Sequence, residues 1–218
     1  MKRCVICGAA PFDEIQSLQG LLTADDVIVA ADGGDRLAAA LGVTPALTVA
    51  DFDSSAPRET AGECVRLPVE KDVTDTHAAM ELLFSRGYRE FLLLGCLGGR
   101  MDHTVAALLA ARLMTEKGCK VTLADDNNIL TVLLPDRYAL QTGGFSVFAM
   151  SETVEGLTLS GVQYPLENFV LESKNPLCVS NCAVEKDAFL SFETPSPRYS
   201  VRIPITMHLN SARILIST

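Results

Sequence analysis

The chain is short of positive charge, of long apolar runs and of any cysteine framework, and each shortage removes a class of function. Its 218 residues include 18 Lys and Arg against 27 Asp and Glu, a formal charge of −9. Nucleic-acid binding through a general basic surface rests on neutralising phosphates with Lys and Arg, so no nucleic-acid partner is expected. The apolar run at 105–111 stops at Arg112, well short of the ~20 apolar residues that a membrane span requires. No membrane partner is expected either. Met1-Lys2-Arg3-Cys4 opens the chain with basic residues but without an apolar stretch of signal-peptide length. The 7 cysteines are odd in number and too dispersed for a disulfide framework. A reduced, cytoplasmic protein is the expectation. Cys4-x-x-Cys7 lies inside an apparent strand with no second such pair, which favours buried thiols over a metal or redox site. Cys178 and Cys182 make an equally weak metal candidate.

What is present is ordinary globular material, 48% hydrophobic and 21% charged. A chain of this length buries roughly 70% of its unfolded surface and needs no staple to fold. Short runs rich in Val, Ile and Leu at 3–8, 26–31, 63–67, 90–95 and 120–124 read as strands covered on both faces. Amphipathic stretches at 35–41, 75–85 and 103–117 read as helices between them. In the last, Val105, Leu108, Leu109 and Leu113 recur at helical spacing before the stop Lys117-Gly118. The alternation predicts an open, mostly parallel α/β sheet over 1–127. From 128 to 218 the texture changes to short segments at 131–134, 145–150, 158–159, 178–181 and 189–192, separated by Gly, Pro, Asn and Ser. These predict a small antiparallel β-sandwich, with further strand texture at 201–205 and 213–216.

Four acidic clusters fall at junctions of the α/β half, where ligands bind at the carboxyl ends of strands. They are Asp32-Gly33-Gly34, Asp51-Phe52-Asp53-Ser54, Lys71-Asp72-Val73-Thr74-Asp75 and Gly98-Gly99-Arg100-Met101-Asp102-His103. Carboxylates converging without balancing Lys or Arg repel one another, and a hard divalent cation resolves the repulsion. Mg²⁺ prefers one or two carboxylates plus phosphate oxygens and water. Asp51 and Asp53 are two apart and would point the same way in an extended strand, although a lone pair of this kind also suits a solvated loop. Paired glycines after Asp32 let backbone amides approach a phosphate, or serve a tight turn. Thr74 suits a helix N-cap, which leaves Lys71 and Asp72 unexplained unless Lys71 meets a phosphate and Asp75 a metal. Arg100 offers the fork that clamps phosphoryl oxygens. Neither a Walker A loop nor the dinucleotide Gly-x-Gly-x-x-Gly is present.

The ordered set Asp-Gly-Gly, Asp-Phe-Asp-Ser, Lys-Asp-x-Thr-Asp and Gly-Gly-Arg-x-Asp-His closely resembles the thiamine pyrophosphokinase family. The resemblance continues in Gly161-Val162-Gln163-Tyr164-Pro165-Leu166 and Val179-Ser180-Asn181. It implies Mg²⁺-dependent transfer of a pyrophosphoryl group from ATP to thiamine, giving thiamine diphosphate and AMP. It also implies a homodimer with its active site at the subunit interface. On that resemblance Asp51, Asp53 and Asp75 are the metal carboxylates, with Arg100 and Asp102 beside them in catalysis. Asp32, Gly33, Gly34, Ser54, Lys71, Asp72, Thr74 and His103 would hold the nucleotide, and Tyr164, Ser180 and Asn181 the thiamine. The chain departs from the family in three places. Cys182 follows Ser180-Asn181 where a polar residue is common, no tryptophan exists to stack on thiamine, and the tail beyond Pro195 is expected to be this chain's own. The acidic clusters alone also fit a metal-dependent phosphohydrolase or a non-enzymatic nucleotide-binding module.

Overall fold

The computed structural model describes residues 2–51, 62–68 and 72–193, together with the backbone of Pro204–Leu209. It divides between Asp126 and Asn127 into two compact units.

The first unit is built on six parallel strands: β1 (Cys4–Cys7), β2 (Val27–Ala31), β3 (Leu47–Ala50), β4 (Glu63–Arg66), β5 (Glu90–Leu94) and β6 (Lys120–Ala124). Their order is β6-β5-β1-β2-β3-β4. Every residue of β1 is fully buried, as are Val29–Ala31 of β2 and Leu93 and Leu94 of β5, which is why these strands read as unbroken apolar runs. Cys4 and Cys7 are part of that wall. Burial pushes both thiols up to about 12, so they pack as small hydrophobes. The chain lays down β2, β3 and β4 on one side of β1, then returns to place β5 and β6 on the other. The strand order therefore reverses between β1 and β5, and a crevice opens there at the carboxyl edge.

The helices are α1 (Ile15–Gln19), α2 (Asp35–Leu41), α3 (Asp75–Ser85) and α4 (Met101–Glu116). In α4 the sequence pattern and the buried face differ. The residues facing the core are Ala107, Ala110, Ala111 and Met114, while Val105, Leu109 and Leu113 of the expected stripe are exposed together with Met101. Small alanines let the helix lie close to the sheet, and the large apolar residues occupy the opposite face. Two short elements of this unit, α1 and β3, have no counterpart among the expected segments; each is at most five residues long.

The second unit is antiparallel throughout. Its strands are β7 (Asn128–Val132), β8 (Arg137–Ala139), β9 (Gly143–Ala149), β10 (Thr153–Ser160), β11 (Leu166–Glu172), β12 (Asn181–Ala183), β13 (Phe189–Glu193) and β14 (Pro204–Leu209). One row runs β11-β10-β13-β8 and the other β12-β9-β14-β7. Phe145 and Val147 of β9 share a core with Leu157, Leu159, Leu171, Leu190 and Phe192 of the first row, the expected inward alternation of a sandwich. The strand expected at 178–181 begins only at Asn181, because Ser180 sits in the left-handed region at φ 59°. Segment 213–216 lies outside the described residues. Among the described residues no helix is long and apolar enough to cross a membrane.

Candidate active site at the carboxyl edge of the sheet

The loops leaving β1, β2 and β5 meet at the crevice because glycines let their backbones touch. The Gly8 amide donates to the Leu94 carbonyl at 2.7 Å, and the Ala10 amide to the Gly95 carbonyl at 2.8 Å. A Cβ on Gly34 would lie 1.8 Å from the Cys7 carbonyl oxygen, so only glycine lets the β2 loop press onto the end of β1. The cavity formed there has a volume of about 420 Å³. One wall is residues 8–11, the other Gly98, Gly99, Arg100 and His103, and Asp32, Thr74 and Thr76 border it.

Asp32 is the best guide to the electrostatics. Its carboxyl is raised above the ordinary range, first by desolvation within the cavity and then by the like charges of Asp75 and Asp51, with His103 and the Gly33 amide opposing. The charges of Asp51, just after β3, and of Asp75, in α3, therefore reach the end of β2. Asp75 sits in the first turn of α3, whose N-cap Thr74 accepts a hydrogen bond from the His77 amide at 3.3 Å. Asp72, just ahead of that cap, is exposed. Among the described residues no group of three His, Cys, Asp or Glu is arranged to hold a metal by itself. The donor set still fits Mg²⁺, which takes one or two carboxylates and leaves other positions to phosphate and water. Asp53, Ser54 and Lys71 lie outside the described residues.

Arg100 precedes α4 and lines the cavity. Its guanidinium reaches Asp102 through Nε at 3.1 Å and Nη2 at 2.5 Å, which holds the Asp102 carboxyl below its usual range. The side chains are 71% and 62% exposed. An ion pair so exposed is weak, and the fork can trade Asp102 for a phosphate at little cost. Asp102 itself does not line the cavity. The walls from Ala9 to Pro11, Thr76, Cys96 and Ala107 were not anticipated; the only sequence signal was a glycine directly after β1 and another after β5. A broader hollow of about 600 Å³ lies by Arg3, Asp26 and Glu90. It sits at the amino edge, away from the ligand side of a parallel sheet, and in its wall Arg3 makes a two-pronged pair to Asp26 at 2.9 and 2.7 Å.

In the second unit, Tyr164, Ser180 and Asn181 come together at one corner. Asn181 is 4% exposed. Its Oδ1 accepts from the Tyr164 and Cys182 amides at 3.0 and 2.8 Å, and its Nδ2 donates to the Tyr164 carbonyl at 2.8 Å. The Ser180 amide donates to Ser146 Oγ at 3.0 Å. Tyr164 and Ser180 are exposed, and Asn181 is not.

Comparison with known proteins agrees with both halves. Residues 18–123 match the catalytic domain of thiamin pyrophosphokinase, and residues 134–198 match its vitamin B1 binding domain. Thiamine pyrophosphokinase of Bacillus subtilis (strain 168) is 26% identical over 202 residues, covering 88% of this chain and 94% of its own. The crystal structure of the B. subtilis protein superimposes with a TM-score of 0.82 at 22% identity, covering 97% of this chain and 100% of that one, so the tail beyond Pro195 is not, contrary to expectation, this chain's own. Thiamin pyrophosphokinase from Geobacillus thermodenitrificans gives a TM-score of 0.78 at 25% identity, with 97% and 99% covered. With matches to both domains in order along most of its length, the chain belongs to the thiamin pyrophosphokinase family.

Proposed function

We propose that this chain transfers a pyrophosphoryl group from ATP to the hydroxyl of thiamine, releasing AMP and forming thiamine diphosphate, with Mg²⁺ bound at the carboxyl edge. The observation that carries the reading is the cavity at the reversal of strand order, where Asp32, Gly98, Gly99, Arg100 and His103 meet and the charges of Asp75 and Asp51 reach the Asp32 carboxyl. Asp51, Asp53 and Asp75 hold the metal, which when bound neutralises phosphate charge that the carboxylates would otherwise repel. Asp32, Gly33, Gly34, Ser54, Lys71, Asp72, Thr74 and His103 seat the nucleotide. The thiamine hydroxyl attacks the β-phosphorus in line, the bond from that phosphorus to the bridging oxygen breaks, and AMP leaves. Arg100 turns its fork from Asp102 to the transferring oxygens and stabilises the charge that develops there. A carboxylate of the cluster takes the hydroxyl proton.

The corner of Tyr164, Ser180 and Asn181 receives thiamine, and the enzyme works as a cytoplasmic homodimer with its active site at the subunit interface. Seven free cysteines suit a reducing compartment. The outer face of α4, with Met101, Val105, Leu109 and Leu113 exposed, supplies an apolar surface for a second copy. The deciding experiment supplies Mg-ATP with and without thiamine and follows AMP, phosphate and thiamine diphosphate. AMP and thiamine diphosphate should rise in equal amounts, and only with thiamine. Phosphate released regardless of thiamine would mark a hydrolase, and thermal stabilisation by ATP with no AMP under any acceptor a binding module.

A further inference from the structure

We infer that Asn181 does not touch thiamine but positions Tyr164, whose ring is the platform on which the vitamin's cationic ring lies; this rests on the function proposed above.

The side chain of Asn181 is nearly out of reach of solvent, at 4% exposure. Its Oδ1 already accepts two main-chain amides and its Nδ2 already donates to a carbonyl. Those partners also fix which end of the carboxamide is which, since a reversed amide would set an NH₂ against two N–H groups. A ligand has little of Asn181 left to bind.

What Asn181 holds is specific. Both main-chain polar groups of Tyr164 go to this one amide. The residues just before are fastened differently, by backbone alone. The Gln163 amide donates to the Cys182 carbonyl at 2.8 Å, and the Val184 amide to the Gly161 carbonyl at 2.9 Å, while Val162 bridges Ala183. Gly161, at φ 69°, lies where a Cβ would meet Ala188 Cα at 2.8 Å, so the loop is pressed against the sandwich. The ladder ends at Gln163, and Asn181 extends it by one residue. Pro165 then restricts Tyr164 to extended backbone.

The side chain so presented is 60% exposed, and its hydroxyl accepts from Gln163 Nε2 at 3.2 Å. Val179 and Val184, at either end of the segment that carries Asn181, are 42% and 57% exposed. An exposed aromatic face on a backbone held at both polar groups suits a flat, positively charged heteroaromatic ring. The chain has no tryptophan, so tyrosine is the largest ring it can offer.

The test uses the full chain. Tyr164→Trp creates a single indole, whose emission should be quenched by thiamine with a midpoint near the thiamine KM and left unchanged by ATP. Asn181→Ala should raise the thiamine KM by about tenfold, the scale of one lost buried hydrogen-bonded group, with kcat and the ATP KM within about twofold. In a Tyr164→Ala background Asn181→Ala should add nothing further. Asn181→Ser, smaller and uncharged with one hydroxyl to share among these partners, should fall between, and it carries the test if the alanine variant does not fold. An equal rise of the thiamine KM in the Tyr164→Ala background overturns the inference. So does an unquenched indole in a Tyr164→Trp enzyme that still turns over thiamine, an outcome that leaves the pyrophosphokinase reading standing. No thiamine turnover by the unsubstituted chain overturns both.

Discussion

Asp32 holds a left-handed backbone, φ 55°, a conformation that Asp and Asn tolerate and most side chains avoid. Its carboxyl also titrates above the ordinary 3.8, through desolvation and the charges of Asp75 and Asp51. The native state therefore holds that proton more tightly than the unfolded chain. The resulting stabilisation is complete below about 3.8 and is lost as pH rises through the folded value. Asp32→Asn keeps the backbone preference and removes the charge. It should melt at a higher temperature than the unsubstituted chain at neutral pH, by a modest margin because the group is exposed and screened. The margin should vanish as pH falls below about 4, in paired melting curves across pH. The same variant should lose most of the thermal stabilisation given by Mg-ATP. The acidic residues after β2 and β3 and at the start of α3 were legible in the sequence, since spacing and charge are local facts. That Asn181 is buried and bonded to a neighbouring loop was not, because its partner is 17 residues away and nothing near it signals the contact.

Among the elements, the turn between β2 and α2 depends on one close approach. Gly34 has φ −67°, which any residue adopts, so its requirement is space alone. Gly34→Ala would force a methyl into the Cys7 carbonyl at 1.8 Å. The expected cost is about 3 kcal/mol or more, read by chemical denaturation, while Gly42→Ala, with φ 74° and nothing within 4 Å, should cost about 1 kcal/mol. Thr74→Ala removes the cap of α3 and should cost about 1 kcal/mol. Strands such as β1, β5 and β6 and the helices α2 and α3 were plain in the sequence because burial on both faces, or a cap, marks them locally. β3 was not, since Leu47-Thr48-Val49-Ala50 is four residues long and acquires its strand character by pairing with β2 and β4. β11 was hidden as well. Glu167 and Asn168 break its apolar alternation, and Asn168 at φ 47° shifts its register against β10. In α4 the helix was clear and its orientation was not, because large residues at helical spacing suggested a core face that alanines in fact occupy.

For the whole molecule, α4 raises the question of what covers its outer side. An exposed apolar stripe on a helix marks a candidate contact surface, and here Met101, Val105, Leu109 and Leu113 are 72%, 48%, 50% and 45% exposed. They follow one another at intervals of four, so they form a continuous ridge, and ridges of this kind pack into the grooves of a second helix in the commonest helix-pair geometry. In the proposed homodimer a second copy meets this ridge, as closed twofold assemblies do with one patch used twice. Leu109→Glu sets a charge in the middle of the ridge without touching the alanine face. The variant should keep its far-ultraviolet circular dichroism and its stabilisation by Mg-ATP. By sedimentation or light scattering it should run as a monomer, and the unsubstituted chain as a dimer. Thiamine turnover should fall with the dimer, because the proposed active site needs two subunits, and should recover in part at high protein concentration. A Leu109→Glu chain that stays dimeric would place the subunit contact elsewhere, and a fully active monomer would mean that one chain carries the whole site.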